Sequence, residues 1–209
     1  MNVRCRLYWL LAILIFPGIL PAQSSDLLTR IWAGEQQARA KITTACGSVT
    51  ETRTSKLMVK PMIFHGRFCT EGTDRFMLDY AAPNSMRIRL NGNYLNVMSG
   101  GKTEVRNIDR DIHHAESSFG GEDSLDGLEK NFDITAQETS GDFELKLIPR
   151  SQALRRTLNY LVVKLNKQDF LPRSLEVDGK SGVNSVFVFD ITSTNTKLPE
   201  DTFEVIKTK

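Results

Sequence analysis

The sequence has few of the residues on which catalytic and metal sites depend. It contains three histidines and three cysteines, and no HxxxH or CxxC motif brings them together. His113 and His114 are adjacent, so on a strand they would point to opposite faces, and a solvated loop is favoured over a metal site. His65 and Cys69 would share one face of a strand but lie ~13 Å apart, too far for a hydrogen bond. The sequence therefore predicts no enzyme, no metal and no cofactor.

A glycine-rich phosphate loop is also missing from the sequence. The paired glycines at 99–102 (SGGK) and 119–123 (FGGED) do not lead from a strand into a helix, as a phosphate loop does. Both segments are predicted to be turns, and nucleotide chemistry is not predicted.

The sequence has one long apolar run, and it stands at the N-terminus. Residues 7–20 (LYWLLAILIFPGIL) follow a basic segment and precede PAQS, in which Ala22 stands at a plausible cleavage position. The run is shorter than the ~20 residues that span a bilayer, and no cysteine follows Ala22 for lipid attachment. We therefore predict a cleaved signal peptide at 1–22 and a soluble protein in the periplasm.

The remaining chain, residues 23–209, is predicted to be a single domain without net charge. Removal of the signal peptide takes away Arg4 and Arg6 but no acidic residue, which leaves 25 basic and 25 acidic residues. Binding to nucleic acid, or stably to anionic membranes, depends on a basic surface. The equal numbers of basic and acidic residues therefore support neither kind of binding.

Cys46 and Cys69 remain in the exported chain. An even number of cysteines in an exported protein is compatible with a disulfide, and two free thiols are the alternative. Bridging needs Cα atoms within ~7 Å, which the sequence does not give, so both alternatives stay open.

Hydrophobic periodicity predicts one long helix followed by strands. The helix covers 25–45, with Ser25 or Asp26 as its N-cap and Gly47 as its stop. Ser124 is predicted to cap a short helix. Alternating segments, one of them folded at an Asn-Gly turn, predict strands at 49–57, 60–68, 75–80, 85–98, 103–109, 132–138, 142–149, 158–166, 172–179 and 184–191, and a last short edge at Phe203 and Val205.

These elements predict one α+β domain with about ten antiparallel strands. A sheet of this length curls, and one 20-residue helix, ~30 Å long and ~10 Å wide, covers only part of it. We therefore expect the concave face of the sheet to hold a ligand as well as side chains.

Residues 66–97 carry a series of motifs in the order found in the LolA family of periplasmic lipoprotein carriers. The family has a G-x-F strand, then R-P-G-R-F-R-W-E-Y-x-x-P, then an apolar strand and a D-G-K turn. The matching positions here are Gly66, Phe68, Arg75, Phe76, Asp79, Tyr80, Pro83 and the turn Asn91-Gly92-Asn93. Residues 142–150 and 170–205 resemble the family's later strands, so the resemblance covers nearly all of the chain after the signal peptide.

The resemblance implies an incomplete, strongly curved antiparallel β-barrel with helices as a lid over an apolar cavity. It also implies a monomeric carrier that takes acylated lipoproteins from an inner-membrane exporter to an outer-membrane acceptor. Gly72-Thr73-Asp74 stands where the family has R-P-G, with the arginine that contacts the lid helices. This difference favours a divergent member with another lipid, such as a glycolipid or polyene ester; a lipid-sensing or protein-binding module is the alternative.

An acyl chain needs large, soft apolar side chains, because burial contributes ~0.8 kcal/mol per CH₂. The residues predicted to line the cavity are Phe76, Leu78, Tyr80, Met86, Ile88, Leu90, Met58, Met62 and Phe64, and those predicted to form the lid helix's inner side are Leu28, Ile31 and Trp32. For each residue, ordinary core packing is the alternative. Leu78→Glu is expected to abolish acyl binding and to leave the fold intact.

Overall fold

The computed structural model describes residues 23–107 and 124–206. Within these ranges the chain forms one long helix, α1 (Gln23–Lys41), two short helices, α2 (Leu125–Asn131) and α3 (Gln152–Arg155), a 3₁₀ turn (Glu200–Phe203) and eleven strands. The strands are β1 (Thr44–Ser55), β2 (Met62–Glu71), β3 (Arg75–Tyr80), β4 (Met86–Asn91), β5 (Tyr94–Ser99), β6 (Lys102–Asn107), β7 (Phe132–Glu138), β8 (Asp142–Pro149), β9 (Leu158–Asn166), β10 (Pro172–Gly179) and β11 (Val183–Thr194). The predicted signal peptide and His113-His114 lie outside the described residues.

The eleven described strands form a single antiparallel sheet in the order β6-β5-β4-β3-β2-β1-β11-β10-β9-β8-β7. Two meanders, β1–β6 and β7–β11, are joined by the pairing of β1 with β11. The edge strands β6 and β7 do not pair with each other in the described part of the chain. The prediction of an incomplete antiparallel barrel with an N-terminal helix is therefore confirmed, with eleven strands instead of about ten.

One face of the sheet is mainly apolar in both halves. Directly paired residues in antiparallel strands point to the same face. Phe68 pairs with Leu78, which pairs with Ile88. On the other half of the sheet Leu175 pairs with Val163, which pairs with Leu145. The pairing of Leu175 with Phe187, and of Phe187 with Glu51, joins the two halves. We call this the apolar face and the opposite one the outer face.

The helices pack on the β7–β9 half of the apolar face. Leu28 and Ile31 of α1 are buried in a cluster with Phe132, Leu147 and Val163, and Trp32 packs against that cluster. Both short helices contact the same half, α2 at β7 and α3 at β8 and β9. This half of the sheet is an ordinary two-layer core.

Two predictions about α1 are wrong. The helix ends at Lys41, because β1 already begins at Thr44 and pairs with both β2 and β11. Gly47, the predicted stop, lies inside β1, where a Cβ atom would come within 2.0 Å of the Asp190 carbonyl oxygen. This close approach of two backbones explains the glycine. The helix begins at Gln23, so Ser25 and Asp26 lie in its first turn and are not its N-cap.

The C-terminal segment also differs from its prediction. Phe203 and Val205 form no strand: residues 200–203 form a 3₁₀ turn, in which the Glu204 N–H bonds to the Asp201 carbonyl. The segment crosses the outer face of β3 and β4 and buries Phe203. The predicted cap of the short helix is confirmed, since the Ser124 hydroxyl accepts the N–H of Gly127.

Candidate functional site

The β1–β4 half of the apolar face, together with β11, carries a second apolar cluster. Its members are mostly aromatic, and several of them keep part of their surface exposed. Buried members are Val49, Phe64, Phe68, Leu78 and Tyr80, and partly buried members are Phe76, Met86, Ile88, Phe187, Phe189 and Ile191. We call this set the apolar patch.

Aromatic contacts give the patch a defined shape. Phe68 meets Phe189 edge to face at a centroid distance of 5.3 Å, and Phe64 lies 5.5 Å from the Tyr80 ring. Gly66 lies in β2, and a Cβ there would come within 2.5 Å of the Asp79 carbonyl oxygen and 3.1 Å of the Tyr80 ring. The absence of a side chain at Gly66 thus permits the close approach of the β3 backbone.

Most of the residues that the sequence predicts to line a cavity lie on this patch. Phe64, Leu78 and Tyr80 are buried in it, and Phe76, Met86 and Ile88 pack against it. Leu90 pairs with Phe76 on the same face and is partly buried. Met62 pairs with Arg53 at the edge of the patch and is exposed, whereas Met58 lies in the turn before β2. The predicted lid residues Leu28, Ile31 and Trp32 belong to the other cluster.

A carboxylate is buried inside the patch. Glu51 is 1% exposed and lies between Phe64 and Phe187 in the sheet register. Its carboxylate accepts the Tyr80 hydroxyl at 2.5 Å and the Arg53 Nε and Nη2 at 2.9 and 2.7 Å. A buried carboxylate is tolerated only when it is paired in this way.

Tyr80 and Arg53 play different parts around Glu51. Burial raises the pKa of Tyr80 far above its usual range, and the hydrogen bond and charge of Glu51 raise it further. The phenol therefore remains a proton donor. Arg53 is one-third exposed and stacks over the Phe64 ring at 4.7 Å, so its guanidinium is a cation at the rim of the patch.

The outer face of β2–β5 has a different character, with charged groups and a cavity of about 860 Å³ beneath residues 198–206. We call residues 198–206 the strap. Asn96 is buried and holds the strap at Ile206, donating to its carbonyl at 3.1 Å and accepting its N–H at 2.6 Å. Asn91 donates to the Phe203 carbonyl.

Asp79 is one of the carboxylates that line this cavity. Arg89 donates to it at 2.6 Å and Arg67 at 3.2 Å. Burial raises the pKa of Asp79, but the two arginines outweigh burial, and the pKa lies below its usual value. A second cavity, of about 480 Å³, lies beside the strap. None of the residues predicted to line an acyl cavity borders either space.

Cys46 and Cys69, which the sequence leaves either paired or free, form a disulfide with a Cα–Cα distance of 4.1 Å. They are directly opposite each other in the pairing of β1 with β2. The bridge lies on the outer face and borders the larger cavity. It fixes the register of the two strands that carry Glu51 and Phe64.

No helix among the described residues is long and apolar enough to cross a membrane. No group of three or more His, Cys, Asp or Glu side chains in residues 23–107 and 124–206 is placed to hold a metal ion. His65 lies 3.2 Å from the Thr50 hydroxyl.

Comparison with protein-family models and with curated proteins gives no match. Comparison with solved structures matches an uncharacterized conserved protein from Thermus thermophilus with a TM-score of 0.50, at 11% identity over 86% of this chain and 94% of that chain. Further matches are a LolA superfamily protein from Nitrosomonas europaea (TM-score 0.44, 12% identity, 85% and 97% covered) and a putative outer membrane lipoprotein-sorting protein domain from Vibrio parahaemolyticus (0.47, 12%, 87% and 96%).

The chain is similar in structure to LolA superfamily proteins. At these identities the likeness concerns the fold alone.

Sequence reasoning misses three features of the site. Glu51 and Arg53 share a face with Val49, but the alternation V-x-E-x-R is typical of a polar strand and gives no sign of a buried carboxylate. The strap is predicted as an edge strand. The third feature is the exposure of Leu57 and Val59 in a turn. The sequence predicts Leu57 as the end of a strand and Val59 as part of a connection. Their position between Lys56 and Lys60 is the signal that identifies them as exposed.

Proposed function

We propose that this protein is a periplasmic carrier that binds acyl chains of lipoproteins or related lipids on the apolar patch. The single observation that carries the proposal is that helix residues pack on one half of the apolar face, whereas the apolar patch on the other half contains strand residues alone and keeps partly exposed aromatic and aliphatic side chains. An apolar surface of that kind marks a site for an apolar ligand or partner.

The energetics of acyl binding fit such a surface. One 16-carbon chain contributes on the order of 12 kcal/mol on burial before ordering costs are subtracted. The patch supplies phenylalanine rings and Met86, which adapts to irregular ligands. No directional chemistry is needed for the chain itself.

Arg53 gives the carrier a means to recognise the polar end of its cargo. Its Nε and Nη2 are engaged by Glu51, and about one-third of the Arg53 side chain is exposed. A guanidinium binds carboxylate and phosphate oxygens in pairs. The proposed cargo is thus an acyl lipid whose polar group lies beside Arg53.

The family resemblance extends this proposal to transport. A donor in the inner membrane and an acceptor in the outer membrane are proposed as partners. The turn Gly72–Asp74 replaces the family's arginine, and the Asp74 carbonyl accepts the Gly92 N–H there. Cargo other than the family's lipoproteins is therefore included in the proposal.

Binding of a fluorescent fatty acid tests the proposal. Ile88→Glu places a charge on the partly exposed part of the patch and is expected to weaken binding at least tenfold. Val188→Glu is the matched control, because Val188 lies on the outer face and is 53% exposed. Equal binding by both variants would remove the patch as the site.

Leu78→Glu, the variant chosen from the sequence, is a poorer test. Leu78 is 5% exposed and packed in the cluster, so a glutamate there would be buried. We expect that variant to lose the fold itself.

A further inference from the structure

The turn between β1 and β2 exposes apolar side chains at one end of the sheet. We call residues 56–61 (KLMVKP) the tip. Leu57 is 95% exposed and Val59 is fully exposed, and Met62 and Ile63, which follow the tip, are also exposed. Single exposed apolar residues are common, but four within seven positions concentrate exposed apolar surface at this end of the sheet.

Basic side chains surround this apolar surface. Lys56 and Lys60 flank Leu57 and Val59, and both are exposed. Neither forms an ion pair with another described residue. Because Ser55 pairs with Val183, the turn that contains Lys180 lies beside the tip.

The charge at this end of the sheet is basic beyond the tip itself. Lys180 bonds through its N–H to Thr157, which brings Arg155 and Arg156 of the α3 region to the same end. Neither arginine forms an ion pair with a described residue. Asp178 is the acidic residue close to Lys180 in sequence, and it accepts hydrogen bonds from Asn159 and Asn184.

Several charges at the opposite end of the sheet are paired. Glu71 pairs with Arg75, and Glu138 pairs with both Arg30 and Lys167. Asp142 lies 3.3 Å from Arg173. The basic group at the tip end of the sheet therefore consists of Lys56, Lys60, Lys180, Arg155 and Arg156, although the composition of the chain is balanced.

The tip is continuous with the apolar patch. Arg53, which precedes the tip, pairs with Met62, which follows it. Phe64 lies two residues after Met62 on the same face. A surface that contacts Leu57 and Val59 therefore lies next to the rim where Arg53 stands.

We propose that the tip docks on an anionic lipid bilayer, with Leu57 and Val59 inserted among the headgroups. Lys56, Lys60 and Lys180 lie against lipid phosphates. Apolar side chains with flanking lysines suit the interface of such a bilayer, where both burial and charge attraction contribute. The proposal goes beyond acyl binding and does not depend on it.

Vesicle flotation tests this docking, using the protein purified after export. We expect it to float with phosphatidylcholine vesicles that contain phosphatidylglycerol, at low salt, and to dissociate as salt is raised. Leu57→Ser/Val59→Ser should lower the bound fraction at least tenfold. Lys56→Gln/Lys60→Gln should lower it severalfold and remove most of the salt dependence.

The control is Val188→Ser/Ile206→Ser, which removes two apolar side chains of 53% and 58% exposure away from the tip. This variant should float like the wild-type protein. Uptake of a fluorescent fatty acid from solution should be unchanged in the tip variants, so that failure of docking and failure of acyl binding are told apart.

Two results would overturn the proposal. Either the wild-type protein does not float with anionic vesicles, or the Leu57→Ser/Val59→Ser variant floats as well as the wild type. Self-association through Leu57 and Val59, in a protein that fails to float, would assign the tip to a second copy of the chain.

Discussion

Glu51 places an ionisable carboxylate in the middle of an apolar surface, and hydrogen bonds from two side chains satisfy it. Such an arrangement stabilises one geometry, because each donor satisfies a different carboxylate oxygen, and loss of either donor leaves one buried oxygen without that hydrogen bond. Sequence alone does not reveal it. The alternation of β1 gives the face of Glu51 but not the long-range contact with Tyr80.

Tyr80→Phe is predicted to lower the free energy of unfolding by about 1–3 kcal/mol, because it removes a donor to a buried carboxylate. Urea denaturation measures the change. Tyr160→Phe is the control: its hydroxyl bonds Glu176 in a less buried setting, so a smaller effect is expected. Equal effects would show that Glu51 does not depend on the phenol.

Asp79 gives a prediction for acid pH. Its pKa is lowered in the folded protein, so its ion pairs add stability above the usual aspartate pKa, and this stability is lost as pH falls through the folded pKa. We expect the urea midpoint of the wild type to fall more between about pH 7 and pH 3 than that of Asp79→Asn. Parallel pH profiles would contradict this assignment.

Among the secondary-structure elements, local pattern predicts most strands well. The alternation and turn signals from 75 to 99 yield β3, β4 and β5 nearly to the residue. The prediction fails at the start of β1. Residues 44–48 contain Ala45 and Cys46, which suit a helix end. These residues form a strand because they pair with β2 and β11. The prediction for the strap fails for a similar reason, because the side chain that anchors it, Asn96, lies 110 positions from Ile206 in the sequence.

The disulfide closes the β1–β2 hairpin, and its cysteines are 23 positions apart. Cys46→Ser/Cys69→Ser is predicted to cost about 2–4 kcal/mol of unfolding free energy, mainly because the unfolded chain gains freedom. Thermal unfolding of the oxidised and reduced wild type provides the same comparison without mutation. No change on reduction would show that the hairpin is held by its strand pairing alone.

Asn96 is predicted to hold the strap. Asn96→Ala removes both hydrogen bonds to Ile206 and should make the strap open more often. Hydrogen exchange at the Ile206 amide is expected to accelerate at least tenfold, while the amides of β9 stay protected. Unchanged exchange at Ile206 would mean that Phe203 alone fixes the strap.

For the whole molecule, sequence predicts the open sheet because its strands follow one another along the chain. It does not predict how the apolar face divides, because both halves show the same period of two. The division follows from where α1, α2 and α3 pack, and that is decided by contacts between distant residues. The gathering of cations around the tip is likewise invisible in a balanced composition.

Native mass spectrometry of the exported protein, followed by lipid extraction, tests the carrier proposal most directly. We predict that the wild type and Val188→Glu retain a bound acylated molecule and that Ile88→Glu does not. The mass of the released molecule would distinguish an acylated protein from a free lipid. A wild-type protein that is empty on purification, and that takes up no fluorescent fatty acid afterwards, would contradict the account.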